Sequence, residues 1–169
     1  LIFTDQIEKF IPPKKGRTHI LRVIRELLYT QPEQPGTDIT QALEYLNKVI
    51  TRRSIVFMVS DFLTSNYMTP LRIANKRHDM VAISITDPRE IRLPPVGLIE
   101  LEDVETGEEV LIDTNDKAWL QAYQKMNIQR REERDRQFRI MGVDAVHIST
   151  DRPYIDPLIQ FFRMRERQR

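Results

Sequence analysis

Three short runs of mainly apolar residues, separated by segments with helical patterning, constrain the fold of this chain more than any other feature. The runs cover residues 54–60, 80–86 and 143–149, and they are typical of strands buried on both faces of a sheet. The segments between them carry apolar residues at helical spacing. Strands that alternate with helices predict parallel strands joined by right-handed crossovers, so we expect a doubly wound, mostly parallel α/β sheet.

Two hairpins are predicted outside this alternation. Residues 1–4 and 7–11 favour two short strands around a tight turn at residues 5–6. A second hairpin, with its turn at residues 105–108, is predicted within an acidic insertion over residues 95–115. Since 169 residues suit one domain, we expect a single domain over residues 1–169 that contains this insertion.

The apolar stripes of the helices predict which faces are buried. A helix over residues 18–29 has the stripe Ile20, Ile24, Leu27 and Leu28. A helix over residues 154–167 has the stripe Ile155, Leu158, Ile159 and Phe162. The long helix over residues 116–141 contains nine successive polar residues at 129–137, which favour a solvated face with ion pairs between neighbouring turns. The alternative is that this Arg-rich stretch meets the acidic hairpin or a partner.

Composition excludes several classes of site. The five glycines, at positions 16, 36, 97, 107 and 142, are too widely spaced for a P-loop or a dinucleotide-binding fingerprint. With no cysteine, the chain has no disulfide and no thiolate ligand. The 26 basic and 25 acidic residues give no overall attraction to nucleic acid, and no apolar run reaches membrane-spanning length. We expect a cytoplasmic protein whose segment here contacts neither nucleic acid nor membrane.

Oxygen-bearing side chains follow the predicted parallel strands. Each strand ends in a hydroxyl residue followed by an aspartate, giving the pairs Ser60–Asp61, Thr86–Asp87 and Thr150–Asp151. Thr37 and Asp38 lie in the loop before a helix, and Asp38 with Gln41 three residues later predicts an N-cap of capping-box type. This loop should lie at the same edge of the sheet as the strand ends, the rim where doubly wound sheets bind ligands. Such oxygens suit Mg²⁺ or Mn²⁺. The alternative, strongest for Asp87 and Asp151, is that these side chains only cap turns.

The rim motifs also carry a family resemblance. The segment Gly36-Thr37-Asp38-Ile39, followed by a helix and a strand ending Val59-Ser60-Asp61, resembles the second and third metal-site motifs of von Willebrand factor A-type domains. A bacterial group of such domains, in proteins typically encoded beside MoxR-type AAA+ ATPases, is similar over nearly the whole chain. The further segments that carry this similarity are Leu1-Ile-Phe-Thr-Asp5, Phe10-Ile-Pro-Pro13, Arg52-Arg-Ser-Ile55, Val59-Ser-Asp-Phe62, Ile73-Ala-Asn75, Arg77-His-Asp79, Ile85-Thr-Asp-Pro-Arg89 and Leu101-Glu-Asp103.

The resemblance implies a sheet in the von Willebrand order, with residues 1–11 as its antiparallel edge hairpin, and a metal ion-dependent adhesion site. In that site Thr37 would contribute its hydroxyl, directly or through water, and Asp61 would help to neutralise the divalent cation. A carboxylate from a partner protein would complete the coordination. The implied function is non-catalytic protein interaction, together with a MoxR-type ATPase, in the assembly or maturation of an unidentified client protein. From their places at the strand ends and in the loop, Asp38, Ser60, Asp87 and Asp151 are candidates to border this site and contact a partner.

One departure from the family has structural consequences. The first metal-site motif, Asp-x-Ser-x-Ser at the end of the central strand, is absent from the chain and would precede Leu1. We therefore expect an N-terminally truncated domain from a longer protein. These residues should bind Mg²⁺ weakly, because too few charged ligands remain. Their sheet should lack its central first strand, which leaves a slot between the edge hairpin and residues 54–60.

Two other functions remain open from the residues alone. The first is a metal-dependent hydrolase or phosphoryl-transfer enzyme that uses Asp61 as nucleophile or ligand. No histidine supports it, since His19 and His78 fall on predicted helix regions and His147 lies in mid-strand. The second is nucleic-acid binding through the Arg-rich helix, although acidic residues interrupt its basic run. We expect neither to be the principal function.

Overall fold

The computed structural model describes residues 1–32, 36–102 and 109–167. Along the chain the elements are β1 (Ile2–Phe3), β2 (Ile7–Lys9), α1 (Arg17–Tyr29), α2 (Ile39–Val49), β3 (Ile55–Ser60), α3 (Met68–Arg77), β4 (Asp79–Thr86), α4 (Pro88–Ile91), β5 (Leu98–Glu102), β6 (Glu109–Asp113), α5 (Lys117–Met141), β7 (Asp144–Ser149) and α6 (Ile155–Arg167).

The three predicted apolar runs form one parallel sheet in the order β3–β4–β7. The pairing begins with Ile55 opposite Asp79 and with Val81 opposite Asp144. In the middle strand β4, Met80, Val81 and Ala82 are buried, which explains why this run is apolar on both faces. The doubly wound α/β prediction is therefore confirmed.

Helices cover both faces of the sheet. On one face the main core joins the sheet to α2, α3 and α5 through Leu43, Leu71 and Phe138. On the other face Phe161 of α6 packs on Val81 and Val146. This differs from the predicted stripe of α6, because Ile155, Ile159 and Phe162 are exposed and only Leu158 of that stripe packs against the cluster. Phe161 therefore supplies the buried aromatic contact of α6 with the sheet, whereas the ring of Phe162 lies 6.0 Å from that of Phe57 and stays half exposed.

An ion-pair cluster joins the amino ends of β4 and β7 to α6. The Arg165 guanidinium donates two hydrogen bonds to Asp79, at 2.6 and 2.9 Å, and its Nε donates to Asp144 at 2.7 Å. The same group lies 5.1 Å from the centre of the Phe161 ring. The hydrogen bonds to Asp79, followed by those to Asp144, raise the pKa of Arg165. The sequence pattern predicts only a favourable helix terminus for this arginine, whereas the structure shows a bridge between two strands.

Both predicted hairpins are present. β1 pairs with β2 and β5 with β6, in each case antiparallel, as two separate two-stranded sheets. The turn predicted at residues 105–108 lies outside the described residues. An ion pair of 2.6 Å between Lys9 and Glu26 ties the first hairpin to α1.

The slot expected from the missing central strand is also present. Within the described ranges no strand pairs with the outer edge of β3. A groove of about 530 Å³ separates that edge from β1, and its walls include Phe3, Leu27, Leu46, Phe57 and Val59. The sheet is therefore open beside β3.

Helix α1 borders this groove and leaves its apolar stripe uncovered. Ile20, Leu27 and Leu28 are 60%, 60% and 75% exposed, whereas the periodicity predicts that they are buried. The prediction is wrong because, in the part of the chain described, no element packs on that face. Amphipathic spacing identifies a face that needs a partner, and here the described chain supplies none.

Within the described residues, no helix combines the length and the apolar character needed to cross a bilayer. Helix α5 has 25 residues but carries charged side chains throughout.

We expect Arg165→Gln to lower the free energy of unfolding by about 1–2 kcal/mol, because it removes the charged bridge and leaves two carboxylates facing each other. Both carboxylates are about one-third exposed, so solvent screening limits the effect. Urea unfolding measures the difference. Arg163→Gln, on an exposed position of the same helix, is the matched control and should be nearly neutral. Equal unfolding midpoints for the two variants would show that the bridge contributes nothing.

Candidate functional site

The loop that carries Thr37 lies at the carboxyl end of β3. Helix α2 runs back along the sheet before β3 begins, so its first turn is at the same edge as the end of that strand. The backbone N–H of Asp38 donates to the Thr4 carbonyl at 2.8 Å, and the Thr40 hydroxyl donates to the Asn66 carbonyl at 3.4 Å. These bonds join the loop to the first hairpin and to the segment after β3.

Gly36 is required where this loop meets the first hairpin. Its φ of 121° lies in a region that residues other than glycine rarely adopt. A Cβ atom added there would be 3.3 Å from Cβ of Asp5. The side chain of Asp5 therefore lies against the start of the Thr37 loop. In the sequence, Asp5 ends the family motif Leu1-Ile-Phe-Thr-Asp5, and no pattern there identifies it as a site residue.

Asp38 serves as the N-cap of α2. Its Oδ1 accepts a hydrogen bond of 3.0 Å from the backbone N–H of Gln41. This confirms the predicted cap and accounts for one carboxylate oxygen of Asp38.

Asp61 begins a tight turn directly after β3. Its Oδ1 accepts hydrogen bonds from the Leu63 backbone N–H at 3.1 Å and from the Ser60 hydroxyl at 3.3 Å. The Ser60 oxygen in turn accepts from the Phe62 backbone N–H at 3.1 Å. One oxygen of the Asp61 carboxylate is thus committed to the turn, which fixes the orientation of the group.

Phe62 has a backbone conformation that residues other than glycine rarely adopt, with φ of 59°. Its ring is buried and lies 5.3 Å from Phe138 and 5.6 Å from Tyr67, measured between ring centres. Burial in the same cluster raises the pKa of Tyr67 to about 12. Aromatic packing therefore offsets the strain that the turn imposes on Phe62.

Arg134 supports this turn from below. Its Nη1 donates to the Asp61 carbonyl at 3.0 Å, its Nε donates to Asp135 at 3.3 Å, and its guanidinium carbon is 5.9 Å from the centre of the Phe62 ring. Arg134 is only 8% exposed, so the prediction of a solvated face over residues 129–137 is wrong at this position. The sequence feature that indicates its burial is its position one helical turn before the core residue Phe138.

The remaining predicted rim carboxylates act as caps and turn acceptors. Asp87 accepts from the Arg89 backbone N–H at 2.8 Å and from the Thr150 hydroxyl at 3.1 Å. The Arg89 hydrogen bond, and to a smaller extent that from Thr150, holds the pKa of Asp87 below its usual value. Asp151 accepts a hydrogen bond from the Ser149 hydroxyl. The capping alternative accounts for the contacts of both aspartates.

The described residues do not by themselves form a metal centre. Across residues 1–32, 36–102 and 109–167, no three acidic or histidine side chains are grouped closely enough to hold a metal ion. A hydroxyl from Thr37 and the free oxygen of Asp61 would supply one negative charge, too few for tight binding of Mg²⁺. The pairing of Thr37 with Asp61 around a cation stays a prediction.

Comparison with known families identifies the chain. The sequence model described as "Protein of unknown function DUF58" matches residues 1–133. The chain belongs to the DUF58 family. The match includes the Thr37 loop, the Asp61 turn and most of α5, but ends just before Arg134.

The DUF58 chain is also similar to mycobacterial proteins. The uncharacterized proteins Rv1480 of Mycobacterium tuberculosis and Mb1516 of Mycobacterium bovis are each 31% identical to it over 161 residues, which are 93% of this chain and 50% of theirs. The chain thus spans about half the length of these relatives. The uncharacterized protein MAV169 of Mycobacterium avium is 30% identical over 163 residues, 94% of its length. No solved structure matches the chain.

We expect these 169 residues to bind Mg²⁺ too weakly to give a micromolar dissociation constant, because too few charged ligands are grouped on the rim. Isothermal titration calorimetry with MgCl₂ measures this. Asp61→Ala should give the same heats as the unaltered chain. A micromolar constant that this substitution abolishes would show that the described residues suffice as a metal site.

Proposed function

We propose that this DUF58 chain forms most of a non-catalytic protein-interaction domain, which works in the cytoplasm with a MoxR-type ATPase on a client protein. The observation that carries the proposal is the open sheet. In the described part of the chain, β3 has an edge that no strand covers. This edge, the groove beside it and the exposed stripe of α1 lie together, next to the rim that holds the Thr37 loop and Asp61. A strand edge without a partner beside exposed apolar side chains is characteristic of an interaction site.

The groove has the features expected of a site for an added strand. β3 offers a row of backbone groups along its outer edge, and Phe57 and Val59 on that strand are 43% and 51% exposed. We propose that its occupant is an apolar strand from polypeptide outside these residues, lying parallel to β3. The curated relatives of twice the matched length contain enough additional chain for such a strand.

The rim next to the groove is the proposed partner-binding edge. A strand added beside β3 would end near Asp61, since parallel strands end at the same edge of a sheet. Acidic or hydroxyl side chains at its end would add to Thr37 and Asp61 the ligands that the described residues lack. Mg²⁺ or Mn²⁺ bound there would supply an open coordination position for a partner carboxylate.

The contacts of the described residues favour binding over catalysis. The Asp61 carboxylate accepts its hydrogen bonds from Ser60 and Leu63, neither of which is a general base or acid. The Arg-rich stretch of α5 is not a continuous cationic face, because Arg134 is buried and Arg136 donates twice to Glu133 at 2.8 Å. Both features count against the hydrolase and the nucleic-acid alternatives.

The added strand can be tested by hydrogen exchange. In these 169 residues alone, we expect the β3 amides that point into the groove to exchange rapidly, while β4 amides, paired on both sides, are protected. In the longer protein the same β3 amides should become protected. If the β3 amides exchange equally slowly in the 169-residue segment and in the longer protein, the edge is not open. If they exchange equally fast in both, no strand is added beside β3 in the longer protein.

The metal-dependent contact can be tested by co-purification. In the longer protein, Asp61→Ala should abolish Mg²⁺-dependent binding of the MoxR-type ATPase or client, because the cation loses a charged ligand. Asp87→Ala, which removes a rim carboxylate that caps α4, is the matched control and should retain binding. Binding that is unchanged in EDTA would refute the metal-dependent contact.

A further inference from the structure

A small cavity lies between the turn after β3 and helices α4 and α5. Its volume is about 40 Å³, and its polar lining is rich in donors: Thr86, Asn127, Arg130, Arg131 and Arg134. One water molecule needs about 10–15 Å³ of such cavity volume. The cavity therefore has room for about three atoms of that size, as many as a carboxylate group contains.

One donor of this lining is buried and unsatisfied. Nη2 of Arg134 meets no hydrogen-bond acceptor among the described residues, although Nη1 and Nε of the same guanidinium are bonded. The side chain is 91% buried, as its exposed fraction is 9%. A buried guanidinium nitrogen without an acceptor is unfavourable, and an anionic acceptor would form the strongest hydrogen bond with it.

The charges around the cavity also favour an anion. Three arginines and one carboxylate, Glu90, line it, and burial raises the pKa of that carboxyl group. The carboxylates next to the lining are Asp135, which pairs with Arg134, and Asp61 and Asp87, which act electrostatically on Glu90. Arg130 and Arg131 form no ion pair with any other residue of the described segments. The cavity therefore has unpaired positive charge at its opening as well as an unsatisfied donor in its wall.

We propose that this cavity binds a carboxylate group, held by the guanidinium groups of Arg134 and Arg131. The site takes an anion directly and needs no cation, so it is independent of the proposed metal contact at Thr37 and Asp61. Arg131 also lines an adjoining cleft of about 510 Å³ with Arg92 and His147, which leaves room for the rest of a carboxylate-bearing molecule.

Titration of the 169-residue protein with sodium acetate tests the proposal. At constant ionic strength maintained with sodium chloride, we expect saturable NMR shifts of the Arg134 guanidinium resonances. Arg131→Gln, at a partly exposed position, should weaken acetate binding about tenfold or more, and Arg134→Gln should do the same if it folds. Arg136→Gln is the control, because this exposed arginine of the same helix pairs with Glu133, and it should change binding by less than about twofold.

Three results would overturn the proposal. The first is the absence of any saturable shift with acetate, which would mean that solvent alone satisfies Arg134. The second is acetate binding that Arg131→Gln leaves unchanged. The third is saturation by inorganic phosphate but not by acetate, which would assign the cavity to phosphate.

A peptide comparison identifies the source of the carboxylate. Triglycine and triglycine amide differ only in their terminal group, so the amide should not bind. Triglycine that binds more tightly than acetate would indicate the C-terminus of a polypeptide extending into the adjoining cleft. Equal affinities would indicate a small free acid. Binding of the amide as strong as that of triglycine would contradict recognition of a carboxylate.

Discussion

The guanidinium of Arg134 lies beneath the turn that follows β3 and donates to the carbonyl of Asp61. The strained backbone of Phe62, its aromatic neighbours and the orientation of the Asp61 carboxylate all meet at this contact. A buried charge is tolerated only where hydrogen bonds and a counter-charge compensate for lost solvation, and Asp135 supplies the counter-charge here. The position of the candidate rim thus depends on a residue of α5, far away in sequence.

Much of the fold follows from sequence periodicity. The three apolar runs predicted the parallel strands because a strand covered on both faces cannot carry many polar side chains. Asp38 was correctly predicted as a cap, because an aspartate at the start of a helix accepts a hydrogen bond from the backbone N–H three residues later. The slot beside β3 was predicted from the motif that the chain lacks. These features are local, or they follow from the order of the elements.

The remaining features depend on tertiary contacts that periodicity does not encode. Arg134 belongs to a polar stretch, and only its distance of one turn from Phe138 indicates that it points inward. The stripe of α1 was predicted to be buried, but an apolar stripe does not reveal whether its partner is in the same segment. For α6, the sheet surface selects Phe161 over its neighbours. The convergence of Thr37 with Asp61 stays a prediction.

The uncovered edge of β3 has a consequence for the solution behaviour of the isolated segment. Exposed strand edges of this kind can pair between two copies and continue the sheet from one molecule to the next. Association of this kind depends on concentration and competes with folding during synthesis. The uncovered edge therefore makes the segment prone to aggregation when it is produced alone.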